Sequence, residues 1–549
     1  METPGSQEPS AHGWRIALIP VILVQLGWFL VVARHRLIDG DEGFYLMASK
    51  LIWEGKMPYR DFFFTQMPLL PFVYGLWFQI AGTTWIAARV LSAFFTTILG
   101  TLMYVHVSRE TGKWAAGLVT VVLFVSSTHI FAWMTIVKTY ALSTLLLFLV
   151  YLTITRYRST GSLRAFGLAG LLLGLSADVR LYFAGLFPVL ILWILAAPEI
   201  HARRRALVGF AAGFALAVLP NIYFFALDPG AYVFDNLGFR AVSGAGFFGA
   251  LPDKLDTLYR LFGTRGSGNG VQFAILCTLC GLRFLFRYSA SARLATYIAV
   301  TMILISLLPA PSLTQYFCVA VPFLIVGAVC TVCGLMERPL TALDTSLVLA
   351  GASVLLLAFV ATSIDDVERF LSSGEEVIGV LRPRLAVNFR LDSVIAMSRR
   401  LDECASPGEP VMSLWPGYLV QSKTQPLPGF ENNTARELAG TISPERMLRY
   451  HIMSPSRIEA QLRAHIPRLV VVGNQESMNV EFDSASYEKL LLESGYRRDY
   501  RLGDASLWIV GQAIPPATAT PPESSALPSS STRSSTGRSR KPKPPRSAA

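Results

Sequence analysis

Charge is scarce in this chain. Only 15% of its 549 residues are Asp, Glu, Lys or Arg, against about 25% in soluble domains, and that deficit excludes an ordinary water-soluble globule. With 52% hydrophobic residues and a mean hydropathy of +0.45, most of the chain must face lipid or other helices. Cysteine is sparse as well. Five of the six, Cys277, Cys280, Cys318, Cys330 and Cys333, fall inside apolar runs, so no disulfide scaffold is expected. Cys277-x-x-Cys280 and Cys330-x-x-Cys333 match a redox or metal spacing only formally. No His accompanies them and their neighbours are Val, Leu and Ala, which reads as packing. His35, His106 and His129 show no metal-ligand spacing, so no metal site is assigned and metal dependence stays open. The Gly-rich stretch from Gly263 to Gly270 lacks the Lys of a phosphate-binding loop and does not join a strand to a helix, which argues against a nucleotide site. No internal repeat is evident.

What is present is a series of apolar runs. They cover 15–34, 86–107, 114–132, 136–156, 163–178, 181–198, 206–227, 271–287, 294–309, 313–335 and 344–362, each near the ~20 residues needed to cross a bilayer. That predicts an all-α polytopic membrane domain of about eleven helices over 15–362. The first run, Ile16 to Val32, has no small-residue cleavage site and is expected to stay as an anchor behind a cytoplasmic N-terminus, 1–14. Pro68 to Ala81 is shorter and holds two prolines, so an interfacial or re-entrant piece is expected there. The net charge of +11 would suggest nucleic acid in a soluble protein. Here the basic groups Arg156, Arg158 and Arg164, then Arg203 to Arg205, then Arg283, Arg287 and Arg293 fall on one side if the spans alternate. The positive-inside rule makes that side the cytoplasm, and no nucleic-acid partner is expected. The first loop, 35–85, then lies outside the cytoplasm.

Beyond residue 362 the composition changes. Short strand-like runs, Val411 to Trp415, Arg468 to Gly473 and Leu507 to Val510, alternate with helical patterns over 455–465 and 484–494. A small extracytoplasmic α/β domain is expected over 363–514. From Pro515 to Ala549 the chain is rich in Pro, Ser and basic residues and has too few apolar groups to offset ordering entropy, so a disordered tail is expected.

The most telling local pattern follows the first apolar run: Asp39-Gly40-Asp41-Glu42-Gly43-Phe44-Tyr45. Asp39 and Glu42 have the spacing of a capping box, and Asp41 would gain from the positive end of the helix dipole. Capping needs one acidic residue, however, and this segment has three at the mouth of a membrane helix, where charge is costly. Asp41 is suited to take a proton from an attacking hydroxyl. Glu42 points about 100° away on a helix and has a different task. Tyr45, four residues on, shares the face of Asp41 and is placed to hold it.

Together with Pro58-Tyr59-Arg60-Asp61 and the Pro68-Leu69 run, this segment resembles the first extracytoplasmic loop of GT-C glycosyltransferases of the protein O-mannosyltransferase and lipid A aminoarabinose transferase type. The resemblance implies a polyprenyl-phosphate sugar donor, a catalytic Asp-Glu pair at Asp41 and Glu42, and substrate contacts from Tyr59, Arg60 and Asp61. It also places Tyr316, in Gln315-Tyr316-Phe317 with Pro322 beyond, at the donor headgroup. Some relatives carry a Lys before a Pro-Pro pair where this chain has Gln66-Met67-Pro68, so that phosphate contact is not carried over.

A lipid phosphate needs cations at the outer interface. Lys138, entering the fourth span, and Arg180, following the fifth, both fall there, and Arg can clamp phosphate bidentately. The bland alternatives are a snorkelling Lys138 and an Asp178–Arg180 bridge. Arg240, Arg260 and Arg265 are further candidates. The expected function is a multi-pass glycosyltransferase, of hexosyl or pentosyl type, in a bacterial inner or plasma membrane. It would move a sugar from a polyprenyl-phosphate donor to a lipid, glycan or protein acceptor outside the cytoplasm. The rivals are a transporter or flippase for lipid-linked glycans and a non-catalytic membrane scaffold. A transporter would bury charges at mid-membrane in repeated halves, and neither feature is visible.

Overall fold

Each of the eleven predicted apolar runs holds a helix in the computed structural model. The structure describes residues 13–160, 162–243, 250–263, 269–282, 290–309, 311–339, 341–374, 377, 389–432, 438, 440–473, 484–503 and 505–510. The tail expected over 515–549, and Arg265, lie outside the described residues.

Among the described residues, six helical stretches are long and apolar enough to cross a membrane: Leu18–His35, Trp85–Thr111, Thr139–Tyr157, Arg203–Leu227, Thr314–Met336 and Ala342–Ser373. Shorter apolar helices fill the remaining predicted spans, among them Trp114–Ser126, Leu181–Ala196 and Gly270–Gly281. The helix Leu69–Ala81, where an interfacial or re-entrant piece was expected, has 13 residues, ~20 Å at 1.5 Å per residue, and begins directly after Pro68.

Close packing of the spans rests on small residues. Helices Arg164–Val179 and Arg203–Val218 meet along Gly167, Gly170, Gly209 and Gly213. A Cβ at Gly170 would strike the carbonyl of Phe210, and one at Gly213 the carbonyl of Gly167. The backbones therefore touch directly, as small-residue faces allow in membranes.

At the end of the bundle that carries the acidic cluster, a five-stranded sheet has the order β2-β1-β3-β5-β4. Its strands are β1 (Pro410–Ser413), β2 (Gln425–Pro426), β3 (Leu469–Val472), β4 (Tyr496–Leu502) and β5 (Ala505–Val510). β1 pairs in parallel with β2 and β3, while β5 is antiparallel to β3 and β4. β3 is buried throughout, which explains its unbroken Leu-Val-Val-Val run. Helix Leu391–Cys404 presents Val394, Met397 and Leu401 to the core at helical spacing. Helices Pro455–Arg463 and Ser484–Glu493 lie where the sequence predicted them.

The boundary expected at 362/363 is not a break in packing, because Met1–Gly511 is one compact unit. Residues beyond the last span return to the acidic loop: Leu37 N–H donates to the Phe370 carbonyl at 3.1 Å and Ile38 N–H to the Phe389 carbonyl at 2.6 Å. Lys50 is buried, and its ammonium donates to the carbonyls of Leu419, Ser422 and Thr424 at 3.0, 2.8 and 2.9 Å. The Trp415 indole N–H donates to the Gly40 carbonyl at 2.8 Å. Gly43 lies under that ring, and a Cβ there would come within 2.7 Å of it.

Candidate active site

The acidic helix runs Gly40–Trp53 and starts with a complete capping box. Asp39 Oδ1 accepts from the Asp41 N–H at 3.0 Å, and Glu42 Oε1 accepts from the Asp39 N–H at 2.9 Å. Gly55, at φ 92°, lies just beyond its end.

Glu42 is fully buried. Arg89, itself 1% exposed, grips it bidentately, Nε to Oε2 at 2.9 Å and Nη2 to Oε1 at 2.6 Å. The Val137 N–H donates to Oε2 at 3.1 Å. With the Asp39 amide, four donors fill the roughly four acceptor sites of a carboxylate. Glu42 therefore fixes the loop rather than facing a reactant. Arg89 also donates to the carbonyls of Ala33 and Arg36, at 2.9 and 2.6 Å, joining the first span to the acidic helix.

Asp39, Asp41 and Lys138 form a second cluster. The Lys138 ammonium lies 2.9 Å from Asp39 Oδ1 and 3.1 Å from Asp41 Oδ2. The side chains of Asp39 and Lys138 are buried, while that of Asp41 is 34% exposed. Asp41 is thus the carboxylate of the three with an open side. Burial pushes Asp39 above the usual carboxylate range, with Lys138 opposing and Asp41 adding to the rise. For Asp41, burial also works upward but is outweighed by Lys138, helped by Arg240 and Arg180, so the carboxyl is held below its usual range. Lys138 is not snorkelling. Its charge is held by the two carboxylates. That ammonium occupies the place between the paired carboxylates where a cation would bind. Among the described residues no three His, Cys, Asp or Glu side chains converge as a metal-ligand set.

Arg180 lies on the wall of a cavity of about 400 Å³ together with Gln66, Tyr182, Asn236, Arg240 and Tyr316. The guanidinium carbon is 5.0 Å from the ring centroid of Tyr140 and 4.7 Å from those of Tyr182 and Tyr316. One Nη donates to Thr139 Oγ1 at 3.0 Å. The bridge to Asp178 considered from the sequence does not form. Asp178 accepts instead from Asn221 Nδ2 at 2.6 Å. Among the described residues no carboxylate pairs with Arg180 or Arg240, and no acidic side chain lines the cavity. Two cations with open donors and aromatic walls are the features an anion would need.

The other expected contacts differ in placement. Tyr45 is buried against Phe44 and Phe64, with ring centroids 4.2 and 6.5 Å away. Tyr59 is buried, adopts φ 71° and donates its hydroxyl to the Gln66 carbonyl at 2.6 Å. It shapes the loop that delivers Gln66 to the cavity. Arg60 and Asp61 face each other at 2.8 and 2.6 Å, and Asp61 also accepts from the Met57 N–H at 2.7 Å. Their charges are spent within one turn, so Arg60 and Asp61 do not join the cavity as the resemblance implied. Arg260 pairs with Asp256 at 2.7 Å.

Arg89, Tyr182 and Asn236 were not singled out from the sequence. Arg89 carried a signal, being an ionisable residue inside an apolar run, which calls for a partner. The roles of Tyr182 and Asn236 depend on segments far apart in sequence and left no local trace.

Residues 65–224 match the sequence model of the dolichyl-phosphate-mannose-protein mannosyltransferase family. The match starts after the acidic helix and includes Lys138 and Arg180. No curated protein matches the chain. Among solved structures, ArnT from Cupriavidus metallidurans bound to undecaprenyl phosphate superposes with a TM-score of 0.60 at 16% identity, over 92% of this chain and 100% of that one. Its apo form gives 0.61 at 14% identity, with the same coverage. The Archaeoglobus fulgidus oligosaccharyltransferase, also apo, gives 0.50 at 12% identity, over 89% of this chain and 73% of that one. At these identities the likeness is one of fold. A polytopic helical bundle, a small sheet packed on its acidic loop and the family match over 65–224 converge on a GT-C-like fold, the one this chain shares with ArnT.

Proposed function

We propose that the chain transfers a sugar from a polyprenyl-phosphate-linked donor to a lipid, glycan or protein acceptor outside the cytoplasm, with Asp41 as general base. The observation that carries this reading is the pairing of one open carboxylate with an anion site free of acids. Arg180 and Arg240 belong to the cavity wall and are also among the charges that keep Asp41 ionised.

In this mechanism the acceptor hydroxyl gives its proton to Asp41 as its oxygen attacks the anomeric carbon. The bond from that carbon to the phosphate oxygen breaks, and the lipid phosphate leaves with the electron pair. Arg180 and Arg240 meet the charge developing on that phosphate. Tyr316, against Arg180, limits where the headgroup can lie. Lys138 holds Asp41 ionised and aimed, and Glu42 with Arg89 fixes the helix start that presents it. The extracytoplasmic orientation is supported by the basic loops at the opposite ends of the helices.

The test is transfer of label from a polyprenyl-phosphate sugar in detergent, comparing the parent with Asp41→Asn. Parental activity in a folded Asp41→Asn protein removes Asp41 as the base.

A further inference from the structure

The helix Leu251–Phe262 has three faces, each with its own chemistry. At ~100° per residue, Lys254, Thr257 and Leu261 share one arc, and all three are buried. Leu251, Leu255, Tyr259 and Phe262 share a second arc and are 49, 58, 76 and 50% exposed. Asp253, Asp256 and Arg260 share a third, also exposed, almost opposite the second. A helix that only packs on protein needs one apolar face. This one has a second that no described residue covers, set against a charged face, and that is the pattern of a helix lying in a membrane interface.

The buried face ties the helix to the cavity. The Lys254 ammonium donates to the carbonyls of Leu308 and Pro309, at 3.1 and 2.9 Å, and to that of Leu307. Leu308 and Pro309 line the cavity that holds Arg180. Thr257 Oγ1 donates to the Ser312 carbonyl at 2.8 Å, Ser312 Oγ to the Ser306 carbonyl at 3.0 Å, and Ser306 Oγ to the Tyr316 carbonyl at 3.0 Å. A continuous set of hydrogen bonds thus runs from the helix to the tyrosine against Arg180.

We propose that Leu251–Phe262 is a membrane-binding surface. Its partner is the headgroup–acyl boundary of the bilayer leaflet on the cavity's side, and through Lys254 and Thr257 it sets the cavity wall at headgroup depth. The second, apolar face enters the acyl boundary, and Asp253, Asp256 and Arg260 face water. The depth of the cavity gains a purpose from the transfer reaction proposed above and rests on it. The membrane contact does not.

The test uses the full chain in vesicles of phosphatidylethanolamine and phosphatidylglycerol. The half-buried Cys277 and Cys333 are changed to Ala, and an environment-sensitive fluorophore is attached through Tyr259→Cys or Asp256→Cys. Quenching by a nitroxide near the carbonyl end of a lipid acyl chain is compared with quenching by aqueous iodide. The lipid-to-aqueous quenching ratio is expected to be several-fold higher at position 259 than at 256. Equal ratios, or a higher ratio at 256, overturn the membrane contact. Lys254→Met, made with Tyr259→Cys, is expected to bring the ratio at 259 down toward that at 256, while Lys254→Arg retains it. An unchanged ratio in Lys254→Met overturns the clamp. Because no donor is present in these measurements, failure of the transfer reaction leaves them readable.

Discussion

Replacing Glu42 by Gln is expected to unsettle the fold before it touches any reactant. The native carboxylate accepts from Arg89 twice and from the amides of Asp39 and Val137. A Gln oxygen can accept about two of those four hydrogen bonds, and the Gln NH2 then points at donors. Arg89, at 1% exposure, also loses its counter-charge. Removing one partner of a buried ion pair costs ~3–5 kcal/mol, equivalent to a fall of roughly 3–5 °C in midpoint for a unit of this size. The assay is thermal unfolding of the detergent-solubilised protein, followed by tryptophan fluorescence or by loss of the monodisperse peak. In the double variant E42Q/R89M the unpaired charge is gone, so its loss should be smaller than the sum of the two single losses. A parental midpoint in Glu42→Gln, or full additivity in the double variant, refutes the view of Glu42 as the fixed end of a buried pair.

Asp41→Asn takes one of two carboxylates from Lys138 but leaves Asp39 at 2.9 Å, so it should lower the midpoint less than Glu42→Gln does, while turnover drops ~10²–10⁴-fold, read by donor-to-acceptor label transfer. Arg180→Lys loses the planar fork and its stacking on three rings, and should weaken donor binding with little change in thermal stability, measured by titration with the polyprenyl-phosphate sugar. Gly43→Ala puts a Cβ 2.7 Å from the Trp415 ring and should lower both stability and transfer, with Trp415→Leu in the same chain restoring stability at least in part. Glu431 is pushed up to about 7 from 4.5, first by burial, against the opposing Gly429 amide and Lys56. The folded state then holds a proton that the unfolded state has lost. Stability should fall as pH rises from 4.5 to 7, by about 3 kcal/mol, and Glu431→Gln should flatten that slope in thermal melts across this pH range.

The bundle was legible because lipid demands continuous apolar runs, and every run from 15–34 to 344–362 holds a helix. Strands β1, β3 and β5 were legible for the same reason, being buried and apolar. β4 was not. Tyr496-Arg-Arg-Asp-Tyr-Arg-Leu has no apolar run to mark it, since an edge strand carries charge that guards it against further pairing. The helix Leu391–Cys404 was passed over although Leu391, Val394, Met397 and Leu401 stand at helical spacing, because charges at Arg399, Arg400, Asp402 and Glu403 crowd its second half. In the site, the capping box was visible in the spacing of Asp39 and Glu42. The division of labour among the three acids was not. It is decided by Arg89 and Lys138, which lie 47 and 97 residues beyond Glu42 and Asp41, and no local pattern encodes such a meeting. Tyr59, Arg60 and Asp61 stood out as a motif yet serve the shape of their own turn.

The hydrogen bond from Trp415 to Gly40 spans 375 residues of sequence. During synthesis the acidic helix leaves the ribosome with the first span, long before the loop that will cover it exists. Until Trp415 arrives, the Gly40 carbonyl and the bare face at Gly43 have no lid, and Lys50 lacks the three carbonyls that hold its charge. The nascent chain therefore carries its acidic helix uncovered through the insertion of every span.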